Sequence, residues 1–260
     1  MYPVLLQIGD FKVDSYNVLW LTALSLAILW CVRRFRLYGV NEGEGRRVVC
    51  WAFLVMLLGA GLYKPLSNIR RFAAAPVLIL TEGGLSEMGA ILGAFLSAFL
   101  LCWKNPKAPF QRLCDVAALP AMLAIVVGRW GCFLNGCCVG VISDFPLALH
   151  FPRDPVGVLR HPTQLYYSIC AAVILVALLV AERALLRRDL GDVDRPHHAV
   201  LAPLALILYS VMRLSVDVLR APAEPTQDFQ MGHYILLTLP PFECIWLTLS
   251  LRKITGHAAF

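Results

Sequence analysis

Gly128-Arg129-Trp130-Gly131-Cys132-Phe133-Leu134-Asn135-Gly136-Cys137-Cys138-Val139-Gly140 ends an apolar run that opens near Val116. An arginine inside such a run is expensive. Insertion scales put it at about 2.5–3.5 kcal/mol at a membrane midplane, and lower near an interface. The charge needs a partner, and a phosphate or anionic headgroup suits the planar guanidinium fork. The other reading is an arginine that snorkels from a helix end to the interface. Gly128, Gly131, Gly136 and Gly140 allow the backbone to come close to a neighbour or ligand.

Working outward, the 260-residue chain is 59% hydrophobic and only 15% charged. Soluble domains carry about 25% charged residues. The expectation is one integral-membrane domain over 1–260, without a second soluble domain. The formal charge of +6 does not point to nucleic acid. The basic residues sit at the ends of apolar runs, not on one stripe. Residues 1–14 lack a basic n-region, and the first apolar run is too long for a signal-peptide core, so no cleavable leader is expected. No internal repeat supports an inverted-repeat transporter.

Seven apolar stretches reach spanning length: 15–32, 48–66, 85–103, 113–134, 164–182, 199–219 and 235–251. Each is near the ~20 residues a bilayer requires. Spanning segments must satisfy their backbone internally, so the fold class is all-α, a polytopic bundle of about seven transmembrane helices. With the N-terminus outside, fourteen lysines and arginines fall on inner loops and the tail, and six on outer segments. Arg129, Arg213 and Arg220 fall in or at the outer ends of helices. The positive-inside rule therefore places the N-terminus outside and the C-terminus in the cytoplasm. Glu87, Asp217 and the cysteines of the opening stretch then lie toward the outer leaflet. The longest outer connection, 139–163, is rich in proline and glycine and could serve as a lid.

Several landmarks, in order, resemble the prolipoprotein diacylglyceryl transferase family. They are Ile8-Gly9 with Ser15-Tyr16, Gly83-Gly84-Leu85-Ser86 before Gly89, and the Gly128-Arg129 to Asn135-Gly136 to Gly140 signature. His161-Pro162-Thr163-Gln164-Leu165-Tyr166 follows, then Tyr209 with Arg213-x-x-x-Asp217-x-x-Arg220. Met231-Gly232-His233 is a fainter match. The resemblance runs from residue 8 to about 250. It implies a multi-pass enzyme of the bacterial inner membrane that moves a diacylglyceryl group from phosphatidylglycerol onto a prolipoprotein cysteine. The implied partners are phosphatidylglycerol, the prolipoprotein signal peptide and the bilayer, with no cofactor. Four departures stand out. Met88 takes the family's histidine position, Cys132 and Cys137 take those of its asparagine and glutamate, and Gly61 that of an arginine.

The reaction has simple needs. A thiol must lose its proton, because the thiolate is the nucleophile. A phosphate ester must leave a glycerol carbon, with its oxygens held by fixed positive charge in a dry site. Arg129 and Arg213 are the expected phosphate grip, with Arg220 next. Arg213, Asp217 and Arg220 share one helical face at spacings of four and three. That stripe can equally be an internally neutralised structural one. Glu87, beside Met88, is the expected base, since a carboxyl in an apolar pocket can be raised into range. Simple pairing with an arginine is the alternative. Tyr16, Asn135, Gly136, Gly140, His161 and Gln164 are expected to bind substrate. Tyr16 can instead mark the aromatic belt, and His161 can orient a loop. Cys132 with Cys137 or Cys138 could form a disulfide on an oxidising face. Without a nearby histidine the three make a poor zinc site, so no metal is expected.

Two other classes remain open on the sequence. One is a non-catalytic paralogue that binds anionic phospholipid or an acceptor protein in the membrane. The other, more distant, is a thiol-redox membrane protein. The topology has its own test. A cysteine engineered into 34–47 or 186–198 should resist an impermeant thiol reagent added outside intact cells. Labelling there above the parent's background would overturn the orientation.

Overall fold

The computed structural model describes residues 2–8, 11–67, 69–74, 87–103, 110–188, 199–221, 241 and 243–251. The helices among them are α1 (Ser15–Arg34), α2 (Glu42–Ser67), α3 (Ile69–Ala74), α4 (Glu87–Trp103), α5 (Phe110–Asn135), α6 (Thr163–Arg188) and α7 (Leu201–Asp217). Residues 243–251 are helical as well. The glycine-rich stretch 83–86, Met231-Gly232-His233 and the first part of the 235–251 span lie outside the described residues.

Among the described residues, four helical segments are long and apolar enough to cross a membrane: Ser15–Tyr38, Glu42–Tyr63, Phe110–Asn135 and Thr163–Leu186. Their burial differs sharply. In α5, 56% of the most apolar window is buried, against 17–22% in the other three. The α5 helix is therefore the axis of the bundle. Helix α1 packs along one side of it and α6 along another, and α7 packs on α6. The outward faces are apolar: Leu21 and Leu29 on α1, Leu54 and Leu58 on α2, Val173 and Val180 on α6. In water such faces would be an aggregation surface. Against lipid tails they cost nothing, as expected of spans. Helices α2 and α4 meet almost backbone to backbone where Gly59 faces Gly89, the small-residue contact that membrane helices favour.

The purely helical expectation missed one element. Strands β1 (Val4–Ile8) and β2 (Phe11–Asp14) form an antiparallel hairpin ahead of α1. The backbone N–H of Ser15 donates to Pro3 O at 2.9 Å, tying the hairpin to the helix start. These strands are too short for a window tuned to spans, and their backbone outside a helix must pair with something.

A buried ion pair closes one end of the bundle. Arg34 and Glu182 are only 2% and 6% exposed. The guanidinium donates twice to the carboxylate, Nη1 to Oε2 at 2.9 Å and Nη2 to Oε1 at 2.6 Å. Its Nε donates to Val116 O at 3.1 Å, and Tyr38 Oη donates to Glu182 Oε1 at 2.5 Å. Next to it, Ala202 N donates to Asp115 Oδ1 at 2.7 Å, at the start of α7. Thus α1, α5, α6 and α7 are stitched together by one polar knot. Arg34, counted above among the loop charges, is part of the core. Removing one partner of such a pair strands the other. Arg34→Met or Glu182→Gln should each cost about 3–5 kcal/mol. The double variant Arg34→Met/Glu182→Leu should be milder than either single. Unfolding midpoints in detergent test this, and equal midpoints for parent and singles would refute it.

Candidate active site

The opposite end of α5 carries the quoted stretch. Arg129 is only 4% exposed. Its guanidinium lies over the ring of Tyr167, 4.2 Å from the centroid. Arg213 of α7 approaches the same ring at 5.5 Å. Tyr167 sits on α6 and is fully buried. One aromatic ring thus gathers two cations from two different helices. Contacts of this type contribute about 2 kcal/mol or more when desolvated.

Asp217 is the hub beneath them. Its Oδ2 accepts from Arg213 Nε at 2.9 Å, and its Oδ1 accepts from the Tyr167 hydroxyl. Arg220 Nη1 stands 3.9 Å from Oδ1. The spacing of four and three on α7 therefore delivers the shared face read from the sequence. Arg220 also reaches outward, donating from Nη2 to Cys138 Sγ at 3.4 Å.

The chain reverses at Gly136, where φ is +67°, a conformation that glycine adopts without strain. Cys138, also at positive φ, turns the thiols back toward α5. Gln164 Nε2 donates to Cys137 O at 2.5 Å, and Thr163 Oγ1 to Cys138 O at 2.7 Å, so the start of α6 holds this turn. Gln164 is fully buried, and its Oε1 has no hydrogen-bond partner among the described residues. The Sγ atoms of Cys132, Cys137 and Cys138 all lie within 4.8 Å of one another. All three are free thiols; the disulfide that the sequence allowed is not formed. Hydrogen bonds from Cys132 and Cys137, with Arg220 beside them, hold the Cys138 thiol well below its usual range, against the opposing effect of burial. The Cys137 thiol donates to Cys132 O at 3.6 Å, and Asn135 stands near it. Tyr16 of α1 lies within electrostatic range of these thiols and of Arg129.

The outer connection is clamped to the site. Gly140 N donates to His161 O and Val141 N to Leu219 O, each at 2.9 Å, and Ala221 N donates to Val139 O at 3.1 Å. Residues 139–141 thus lie between the approach to α6 and the end of α7. Arg160 Nε reaches both oxygens of Asp154 at 2.9 Å, and its Nη1 donates to Gly140 O at 3.3 Å. His161 Nδ1 stands 3.1 Å from the Tyr166 hydroxyl.

Of the residues expected from sequence, Tyr16, Arg129, Asn135, Gly136, Gly140, His161, Gln164, Arg213, Asp217 and Arg220 are brought to this one end. Glu87 opens α4, but its side chain lies outside the described residues, so its part in the site is not described. Sequence reasoning missed Tyr167, Cys138 as a partner of Arg220, and the Arg160–Asp154 pair. A signal for Tyr167 existed. It stands three residues after Gln164, on the same face of α6.

The Gly140 contact makes a local test. A Cβ there would meet His161 Cβ at 2.6 Å, and His161 O and Leu219 O at 2.7 Å. Two of these are backbone atoms, so Gly140→Ala must spread the clamp. Overpacking of this kind costs about 1–3 kcal/mol. A lowered unfolding midpoint, with the 219–221 backbone exchanging hydrogen faster than in the parent, is the expected result. Unchanged stability and exchange would argue against the clamp.

Comparisons with known proteins converge. The family model described as prolipoprotein diacylglyceryl transferase matches residues 3–248. The phosphatidylglycerol–prolipoprotein diacylglyceryl transferase of Clostridium novyi is 30% identical over 245 residues, covering 91% of this chain and 91% of that protein. The protein of the same name from Azotobacter vinelandii is 31% identical over 257 residues, 95% of this chain and 91% of its own length. A third, from Pseudomonas fluorescens, is 31% identical over 238 residues, 89% and 82% of the two chains.

Proposed function

This chain belongs to the prolipoprotein diacylglyceryl transferase family, and on that premise we propose that it transfers a diacylglyceryl group from phosphatidylglycerol to a prolipoprotein cysteine. In this reaction a C–S bond forms at a glycerol carbon and the C–O bond to phosphate breaks. The headgroup glycerol phosphate leaves with the electron pair, and the thiol proton passes to a base. The chain acts as a single multi-pass domain of the bacterial inner membrane. About seven helices span it, with the N-terminus outside, and the site lies in the outer half of the bilayer.

The observation that supports the reading best is the convergence of Arg129 and Arg213 on Tyr167. Two cations held on one buried ring, from separate helices, suit an anion that both can grip. Asp217 fixes Arg213 and the ring hydroxyl. Its role is to orient, since a carboxylate would repel phosphate. Arg220 extends the positive surface toward Cys138. Tyr16, Asn135, Gln164 and His161 line or shape the surroundings, and Gly136 and Gly140 provide the close backbone turn. Glu87 is the proposed proton acceptor on its sequence position alone.

Arginine-to-lysine variants separate a grip from a snorkel. Lysine keeps the charge and loses the planar fork. Arg129→Lys and Arg213→Lys should each lower transfer from phosphatidylglycerol to a lipobox peptide by about 10²–10³, or about 2.7–4 kcal/mol, the usual cost of one fixed donor to developing charge. Arg153→Lys, on the exposed loop, is the control and should be near parent. Glu87→Gln should also lose transfer. Near-normal rates in both arginine variants would refute the grip. Met88, Cys132 and Cys137, at positions where the family carries other residues, favour a second reading, a paralogue that binds anionic lipid without turnover. Lipid binding by the parent, with no thioether-linked diacylglycerol detected by mass, would select it.

A further inference from the structure

Cys132, Cys137 and Cys138 have no part in the transfer just described, yet the fold goes to some length to bring them together. Cys132 lies on the last turn of α5, and the other two follow the reversal at Gly136. The amide of Cys137 donates back to Cys132 O at 3.1 Å. Cys138 accepts a φ of +59°, uncommon for a residue with a side chain. Its carbonyl and that of Cys137 are each held by a side chain of α6. The result is three sulfur ligands within 4.8 Å of one another, the one such grouping among the described residues.

We propose that these three thiols form a binding site for a soft monovalent cation of the Cu(I) class, with Cys132, Cys137 and Cys138 as its ligands. The donor set decides the class. Sulfur selects soft ions and is a poor ligand for magnesium or calcium. A structural zinc site takes four ligands and a catalytic one keeps nitrogen or oxygen donors beside an open position. Among the described residues the grouping holds three sulfurs and no nitrogen or oxygen ligand. Cu(I) needs no fourth ligand when three thiolates surround it. Three thiolates around one monovalent cation, with any thiol protons released to solvent, leave the loaded cluster two net negative charges. Arg220 stands 3.4 Å from Cys138 Sγ, and Arg129 is one helical turn before Cys132. Both are placed to neutralise that charge. They are also two of the cations assigned to the lipid phosphate. An ion at the thiols therefore competes with phosphatidylglycerol for the same arginines, a consequence that rests on the proposed function.

The site itself is tested without any transfer assay. Purified, reduced, full-length protein is titrated anaerobically with Cu(I) against the chelator bicinchoninate. One ion should be retained per chain, with an X-ray absorption edge and fine structure showing sulfur alone in the first coordination sphere. Cys132→Ser, Cys137→Ser and Cys138→Ser should each lose that ion to the chelator. Cys50→Ser and Cys244→Ser, both exposed and outside the group, should keep it. A readout on the unmutated protein guards against variants that fail to fold. Copper should protect Cys137 and Cys138 from alkylation, found by peptide mapping, while Cys50 and Cys244 stay reactive. Retention that survives all three cluster variants, nitrogen or oxygen in the first sphere, or unprotected Cys137 and Cys138 would each overturn the proposal. So would oxidation to a Cys132 disulfide in place of binding. Transfer then separates the two ideas. Copper bound as described with no transfer by the metal-free parent leaves the metal site and removes the enzymatic reading. Brisk transfer with no copper retained does the reverse.

Discussion

Burying arginine in a bundle with lipid-facing walls is the constraint on which the rest of this structure depends. It is met twice, once at each end. At one end Arg34 is answered by Glu182, Tyr38 and the carbonyl of Val116. At the other, Arg129 and Arg213 lie on Tyr167, and Asp217 braces the group. The same helices serve both ends. Helix α1 carries Tyr16 and Arg34, α5 carries Asp115 and Arg129, and α6 carries Tyr167 and Glu182. At 1.5 Å per residue these pairs are about 21–27 Å apart. That is a little less than the ~30 Å of hydrocarbon in a bilayer. Three helices independently space their polar layers at close to one hydrocarbon thickness.

The two knots differ in how their charges are shared. Arg34 is met edge-on by a bidentate carboxylate, a hydroxyl and backbone carbonyls. A guanidinium engaged that way is a staple, and its removal is a stability matter. Arg34 also has rings beside it, Trp30 at 5.6 Å and Tyr38 at 5.4 Å, but Arg129 and Arg213 come from two helices onto one ring. A fold that wanted only to neutralise two cations would place a carboxylate against each. Here an aromatic ring stands against Arg129, and Asp217 divides its oxygens between Arg213, Arg220 and the tyrosine hydroxyl.

The helices were the legible part. The window at 15–32 matches α1 and that at 113–134 matches α5, because a spanning segment must be apolar over its length. Ends were less legible. Helix α2 begins at Glu42, six residues before the apolar window at 48, since helical hydrogen bonds continue through charged residues while hydropathy does not. The arginines and Asp217 of the site were legible because charge in an apolar run is rare enough to notice. Their partners were not. Glu182 is 148 positions from Arg34, and Tyr167 is 50 from Asp217, and no periodicity encodes a contact between helices. Tyr167 was hidden for a further reason. An aromatic residue in a span is ordinary core, and only the cations on either side give it another role.

The loop from 139 to 163 shows how such a site is kept in register without a rigid core around it. It has little apolar packing of its own, with Phe151 its one large fully buried side chain. Order comes from backbone pairing. Gly140 is bridged to Arg220, and Ile142 and Leu149 to Arg160. One bridge ties the loop to Arg220, whose side chain acts on Cys138, and two close it on its own Arg160, whose side chain holds Asp154. The loop therefore cannot shift without moving a charge. The thiol turn sits within this same clamp, between the end of α5 and the start of α6. None of these backbone contacts is made by the side chain of Cys132 or Cys137. The arginine geometry and the thiol group can thus coexist. One is set by helix faces, the other by a turn held through its carbonyls.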